Sequence, residues 1–262
     1  MRNTLIIALN TFREAIRQRL IALIAVLAVV LVALSNYLLK IDLGHEQLRF
    51  IADFGSGALG FFGSVIAITA TCQLIYSEID SKTLLTLMSK PVGFAQFAFG
   101  KLAGVAMLLF IFALCIGLST SGMILYTRHA LDWAPAEVFA NTAFNPEGMF
   151  FYVILQWVKL CLIAGLALLI SSLSQSMLFS VIVSFLAMGV SLLNASDFGS
   201  AGNFAQLAAS WIFPDLHVFA PSERFIFASV NFKEFFAAFF YGASYAAACA
   251  LLAAYCFKTR RF

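Results

Sequence analysis

Two stretches of the chain, residues 54–77 and 102–127, contain no Asp, Glu, Lys or Arg. Each exceeds the roughly 20 residues with which a helix crosses a bilayer, so each reads as a membrane span. Composition agrees. Of 262 residues, 62% are apolar and 11% charged, against about 45–50% and about 25% in soluble domains. The expectation is an all-α, polytopic membrane protein forming one transmembrane domain over residues 1–262.

Four more spans follow from the same logic. Residues 20–39 lie between Arg19 and Lys40. Residues 149–194 carry a single charge, Lys159, and are too long for one span and about right for two, with the serine-rich stretch 171–176 as the turn. This gives spans at about 149–171 and 176–194. The last span, 235–257, ends at Lys258. A cleavable signal peptide is not expected: Arg13, Glu14, Arg17 and Arg19 precede the first apolar run, which is longer than the 7–15 residues of a signal core.

Six spans put both ends of the chain on one side. Ten Lys and Arg residues fall on that side, among them Arg2, Lys82, Lys101 and Arg261, and five on the other; three acidic residues accompany the first set and ten the second. The positive-inside rule then makes both termini cytoplasmic. In span two, Gly55, Gly57, Gly60 and Gly63 cluster, and Ser56, Gly60 and Ser64 share a face that lets another helix approach.

Residues 4–17 form an amphipathic helix. Leu5, Leu9, Phe12 and Ile16 fall on one stripe, with Arg13, Glu14 and Arg17 opposite. Two placements fit: a helix in the membrane surface, with Arg13, Arg17 and Arg19 against anionic head groups, or a cytosolic helix on a partner. Between spans five and six, residues 204–213 are apolar, end at Pro214 and are too short to span, which suggests a re-entrant or interfacial helix on the outer side.

The loop between spans two and three is not an ordinary solvated connection. Glu78 and Lys82 stand at i and i+4 in the order that suits a helix, Thr83 to Met88 is rich in leucine, and Pro91 stops the helix before a second, aromatic piece over 92–99. Leu84, Leu85, Leu87 and Met88 need cover. They either pack back on the protein's own helix ends or form a knob for a cytosolic partner.

The order Glu78, Thr83-Leu84, Leu87, Ser89-Lys90-Pro91, then Gly100-Lys101-Leu102-Ala103-Gly104 resembles the second-span loop of six-span membrane subunits of ATP-binding-cassette exporters. These are the permeases that include drug, polysaccharide and multicopper-enzyme-maturation systems. Lys82 stands where that family usually has Gly, and Phe94 where it often has a basic residue or Ser. The resemblance implies that Glu78, Lys82, Thr83, Leu84, Leu87, Ser89, Lys90, Pro91, Gly100 and Lys101 belong to a coupling helix and its flanks, seated on a separate cytosolic ATPase dimer. It also implies an elbow helix at residues 4–17, a short helix near the outer exit, a second copy of the chain or a homologous permease as partner, and a bacterial cytoplasmic membrane.

Other chemistry finds little support. The nearest approach to a phosphate-binding loop, Gly93 to Lys101-Leu102, has the wrong spacing and Leu in place of Ser or Thr. An intramembrane Ser–His protease or a haem site would need histidines in the spans, but His45, His129 and His217 all fall in outer loops, where metal handling would need Cys or His neighbours at ligand spacing that the sequence does not supply. The five cysteines lie in apolar runs and read as small core residues. No catalytic residue, metal or cofactor is expected, and a net charge of +3 gives no basis for a nucleic-acid partner. Lys159 is the exception within the spans. It either lines a polar path with Gln156 or reaches out to head groups. The reading is a transporter subunit that does not itself hydrolyse ATP; the rival is a non-transporting membrane scaffold or assembly factor.

Overall fold

The computed structural model describes residues 2–38, 47–80, 93–130, 144–193 and 213–259, and all regular structure among them is helical. The order is α1 (Arg2–Ile16), α2 (Arg19–Leu38), α3 (Gln47–Asp80), α4 (Phe94–Ala130), α5 (Pro146–Leu173), α6 (Met177–Leu193), a 3-10 helix (Leu216–Ile226) and α7 (Phe232–Thr259). Four of these (α3, α4, α5 and α7) are long and apolar enough to cross a membrane. The bent pair α1 and α2, which meet at 69°, adds a fifth if it counts as one span. This is the architecture of a helical membrane protein.

The packing is arranged for lipid rather than water. On α6, Ser180, Ser184, Ala187 and Ser191 are buried, while Leu178, Phe179, Ile182 and Leu186 are exposed. The inward hydroxyls of Ser184 and Ser191 donate to the carbonyls of Ser180 and Ala187, one turn back, at 2.7 and 2.9 Å. On α7, Ala238, Gly242, Ala246, Ala250 and Ala253 face inward, with Phe236, Phe240, Leu251 and Tyr255 outward. In water this distribution would expose the residues that normally drive burial. In lipid, where tails are as apolar as leucine, small residues that allow close contact make the better interface.

The long helices exceed the apolar runs that mark them. At about 1.5 Å per residue, α3 and α4 reach about 51 and 56 Å, well beyond a core of roughly 30 Å. Accordingly α3 begins at Gln47 and runs to Asp80, and residues 94–101 belong to α4 itself rather than to a separate aromatic piece. Hydropathy marks the membrane core, whereas the hydrogen-bond ladder continues into charged flanks. Asn145 caps α5 by accepting from the Glu147 N–H at 3.1 Å, and Pro146 sits at the first helical position, where no donor is needed.

α5 is the central helix, in contact with α3, α4, α6, α7 and the 3-10 helix. Close approach relies on glycine, though not on the expected face of α3. A side chain at Gly63 would meet Leu160 at 2.7 Å and one at Gly55 would collide with Thr120, whereas Gly57 and Gly60 face open space. Ser64 is buried but bonds back to the Phe61 carbonyl at 2.8 Å. The turn between α5 and α6 is confined to Ser174, Gln175 and Ser176. Cys72 and Cys249 are buried as expected of core residues, but Cys115 is exposed on the apolar surface of α4.

Candidate functional site

The end of the molecule where α3 stops and α4 starts holds most of its buried charge chemistry. We refer to it as the hairpin end. The connecting segment 81–92, with Lys82, Thr83, Leu84, Leu87, Ser89, Lys90 and Pro91, lies outside the described residues. Its two anchors, Glu78 on α3 and the Gly100-Lys101 pair on α4, lie within them.

Lys101 Nζ reaches Glu78 Oε1 at 2.6 Å and donates to the Leu74 carbonyl at 3.0 Å. Its side chain is only 2% exposed, and that of Glu78 is 20% exposed. The ammonium also lies 5.9 Å from the centre of the Phe97 ring. A lysine this deeply covered is held by charge pairing and a carbonyl together. Removing one member of such a pair typically costs about 3–5 kcal/mol, because the other charge is then stranded.

The neighbouring turn of α3 fastens two further elements. Ser77 donates to Glu14 Oε1 of α1 at 3.0 Å. The Tyr76 hydroxyl lies 3.0 Å from the Ser174 carbonyl and 2.8 Å from Ser180 Oγ, which ties α3 to the α5–α6 turn. An apolar cluster of Ile75, Phe97, Ala98, Leu168, Ala253 and Phe257 fills the space beside it, with the Phe97 and Phe257 rings edge to face at 5.8 Å. Within two turns, α3 thus holds α1, α4 and α6, and α7 joins the same cluster through Phe257 against Phe97 of α4.

The Gly-Lys-x-x-Gly pattern acquires a physical reason here. Gly100 and Gly104, four apart, form one smooth strip of α4 onto which α1 settles. A side chain at Gly100 would meet Ile7 at 2.8 Å, and one at Gly104 would meet Thr11 at 2.6 Å and the Ala8 carbonyl at 2.7 Å. Lys101, one residue on, turns to α3. The docking face of α1 is therefore Ala8, Thr11 and Ala15, all buried, while Leu5, Leu9 and Ile16 are exposed on the side open to lipid. Arg13, Arg17 and Arg19 are exposed as well.

The opposite end carries the 3-10 helix and is anchored differently. Of the predicted element at 204–213, residues 204–212 lie outside the described residues, and the helix seen, Leu216–Ile226, begins after Pro214. Phe219 is fully buried, and its ring lies where a side chain at Gly242 would stand, 2.9 Å away. Asn145 N–H donates to the Ile226 carbonyl at 2.9 Å, the Asp215 N–H to Tyr241 Oη at 2.8 Å, and His217 Nε2 lies 2.7 Å from the Leu192 carbonyl.

Gln156 and Lys159, predicted together, stand on one side of α5. Gln156 is buried and donates to Ser222 Oγ at 3.4 Å. Lys159 is partly exposed and has neither a hydrogen bond nor an ion pair among the described residues. It lies 13 residues from Pro146 and 14 from Leu173, the middle of α5. A lysine there costs about 2.5–3.5 kcal/mol on insertion scales, and its four-carbon stem does not cover the roughly 15 Å to either interface.

Sequence reasoning missed Glu14, Tyr76, Ser77, Ser174 and Ser180, since nothing in local spacing pairs residues 63, 98 and 104 positions apart. Among the described residues no group of His, Cys, Asp and Glu could hold a metal ion. A scan against protein-family models finds no match, and a search of curated proteins finds none either.

Proposed function

We propose that the chain is the six-span permease subunit of an ATP-binding-cassette exporter, with both termini cytoplasmic and with segment 81–92 seated on a separate ATPase. The spans would be α2 to α7; α2 has 20 residues and α6 has 17, which at about 1.5 Å per residue supply about 30 and 25 Å, near the lower bound for crossing. α1 would then lie along the cytoplasmic surface, its exposed leucines in lipid.

The observation that carries this reading is the joint at the hairpin end. A segment that receives a push must be attached rigidly to the spans it moves. Both ends of 81–92 run into the Glu78–Lys101 pair, and through Ser77 and Tyr76 the same turn of α3 holds α1 and the α5–α6 turn. Displacement of the segment would move these elements as one body. Two copies, or this chain and a homologous one, would enclose a path that one copy leaves half-built.

Purification in mild detergent, with identification of the bound chains and an ATP hydrolysis assay, tests the proposal. An ATP-binding-cassette ATPase is expected to remain bound. The double variant Leu84→Asp and Leu87→Asp, which places charges in an apolar contact, is expected to insert normally and lose that subunit, while Arg224→Ala at the opposite end keeps it. Retention of the ATPase and full activity by the double variant would overturn the coupling role. A chain that purifies with other proteins and no ATPase would make it a scaffold.

A further inference from the structure

We propose that the bend between α1 and α2 heads a binding site for one anionic phospholipid, its phosphate on Arg17 and Arg19 and its two tails in apolar grooves along α4.

The first groove lies between α2 and α4 and encloses about 340 Å³. Ile21, Ala25 and Val29 of α2 form one wall, Leu108 and Cys115 of α4 the other, with Ile66 of α3 between them. From Ile21 to Val30 the groove runs about 13 Å at about 1.5 Å per residue, close to half of a hydrocarbon core of roughly 30 Å. That is the depth of one leaflet, over which an acyl tail lies. The second groove, of about 550 Å³, is bounded by Phe12 of α1, Met107 and Phe110 of α4 and Trp157 of α5. Ile111 lines both grooves and is exposed between them. Two tails straddling one ridge fit a two-chain lipid, whereas a single-chain amphiphile would leave one groove empty.

Charge complementarity supplies the head group. Arg19 precedes Val26 by 7 residues and Val30 by 11, which at about 100° per residue sets it within about 20° of both around α2. Val26 and Val30 form the exposed edge of the first groove, so Arg19 stands at the head of the same stripe. Arg17 occupies the bend itself, where α1 and α2 meet at 69°. Both arginines are exposed, and neither has an ion pair among the described residues. Glu14, the acid of α1, is turned to α3, where it accepts from Ser77. Guanidinium groups match phosphate by parallel hydrogen bonds, and they sit here at the end of an apolar groove rather than on an open polar face. The inference rests on the permease reading only in laying α1 on the membrane surface and passing α2 across it.

Native mass spectrometry of the full chain, released from micelles containing phosphatidylglycerol or phosphatidylcholine, tests binding directly. One retained phosphatidylglycerol per chain is expected, in excess of phosphatidylcholine. Retention should fall about tenfold or more in the double variant Arg17→Gln and Arg19→Gln, and survive when both become Lys. These positions are exposed, so folding is not at stake. Ala25→Leu, which fills the first groove and leaves the charges alone, is expected to lower retention as well. Cys115, at the deep end of that groove, ties head to tail: its alkylation by N-ethylmaleimide, located by peptide mass, should be slower with phosphatidylglycerol than with phosphatidylcholine. The double Gln variant should lose that difference. Equal retention of the two lipids, undiminished retention in the double Gln or Ala25→Leu variant, or equal alkylation of Cys115 would overturn the site. A dimeric chain that retains no lipid would show a second copy on this face and overturn it too. ATPase co-purification is expected to be unchanged in the double Gln variant, so failure here and failure of the coupling role are read separately.

Discussion

The two ends of the molecule hold their pieces together by opposite means. At the hairpin end the attachment is concentrated: one ion pair, covered almost completely on the lysine side, a carbonyl on the same ammonium, and a glycine strip where α1 touches backbone. At the end bearing the 3-10 helix the attachment is distributed over neutral bonds from Asn145, Asp215, His217 and Gln156 and over the buried Phe219 ring. Each neutral bond contributes only about 0.5–1.5 kcal/mol net. A joint that depends on a few indispensable contacts moves as a unit or fails. One that depends on many weak contacts shifts by degrees.

The largest expected effect follows from the buried pair. Lys101→Met strands the Glu78 carboxylate against the apolar cluster, and a loss of about 3–5 kcal/mol is expected. Adding Glu78→Met should restore most of it, since two apolar groups replace two charges. Thermal unfolding in detergent measures both. If Lys101→Met melts like the wild type, the hairpin end is not the concentrated joint described, and the comparison fails at its first step.

Next comes the glycine strip. Gly104→Val would put a side chain on Thr11 and the Ala8 carbonyl, and overpacking of this kind costs about 1–3 kcal/mol. The visible result should be detachment of α1, read as faster proteolysis near Arg13. Gly57→Ala is the control, since a side chain there meets nothing within 4 Å and removes a helix-weakening glycine. Similar effects from the two substitutions would mean that α1 does not depend on close approach.

How much of this was legible in the sequence depends on which physical signal each feature leaves. Uncharged runs located the helices long and apolar enough to cross a membrane, α3, α4, α5 and α7, because the bilayer excludes charge, and the serine stretch located the turn before Met177. Helix ends were not legible, since Gln47 to Asp53 and Phe94 to Lys101 continue the ladder beyond the apolar core. The stripe of Leu5, Leu9, Phe12 and Ile16 was read as the side of α1 turned to the membrane or a partner, and Leu5, Leu9 and Ile16 are exposed; the contact with α4 through Ile7, Ala8 and Thr11 left no comparable signal, because lipid rewards small residues at interfaces. The same oversight placed close packing at Gly60 rather than at Gly55 and Gly63. Glu78 and Lys101 were singled out by their order in the chain, but their pairing could not be read across 22 intervening residues.

The smallest expected effect lies at the other end and sharpens the comparison most. Gln156→Leu removes one bond of 3.4 Å and leaves Ser222 donating to the Phe219 carbonyl at 2.6 Å, so no hydroxyl is stranded. Replacing a buried amide by an apolar group of similar size is close to neutral, and a change under about 1 kcal/mol is expected. Phe219, the Asn145–Ile226 bond and the Asp215–Tyr241 bond still hold the 3-10 helix in place. Hydrogen exchange over residues 216–226 should therefore quicken only modestly in this variant, while exchange around residues 74–78 stays as in the wild type. Global unfolding of Gln156→Leu, with a cost like that of Lys101→Met, would show that both ends are concentrated joints. The contrast between a concentrated and a distributed attachment would then have no basis in the contacts.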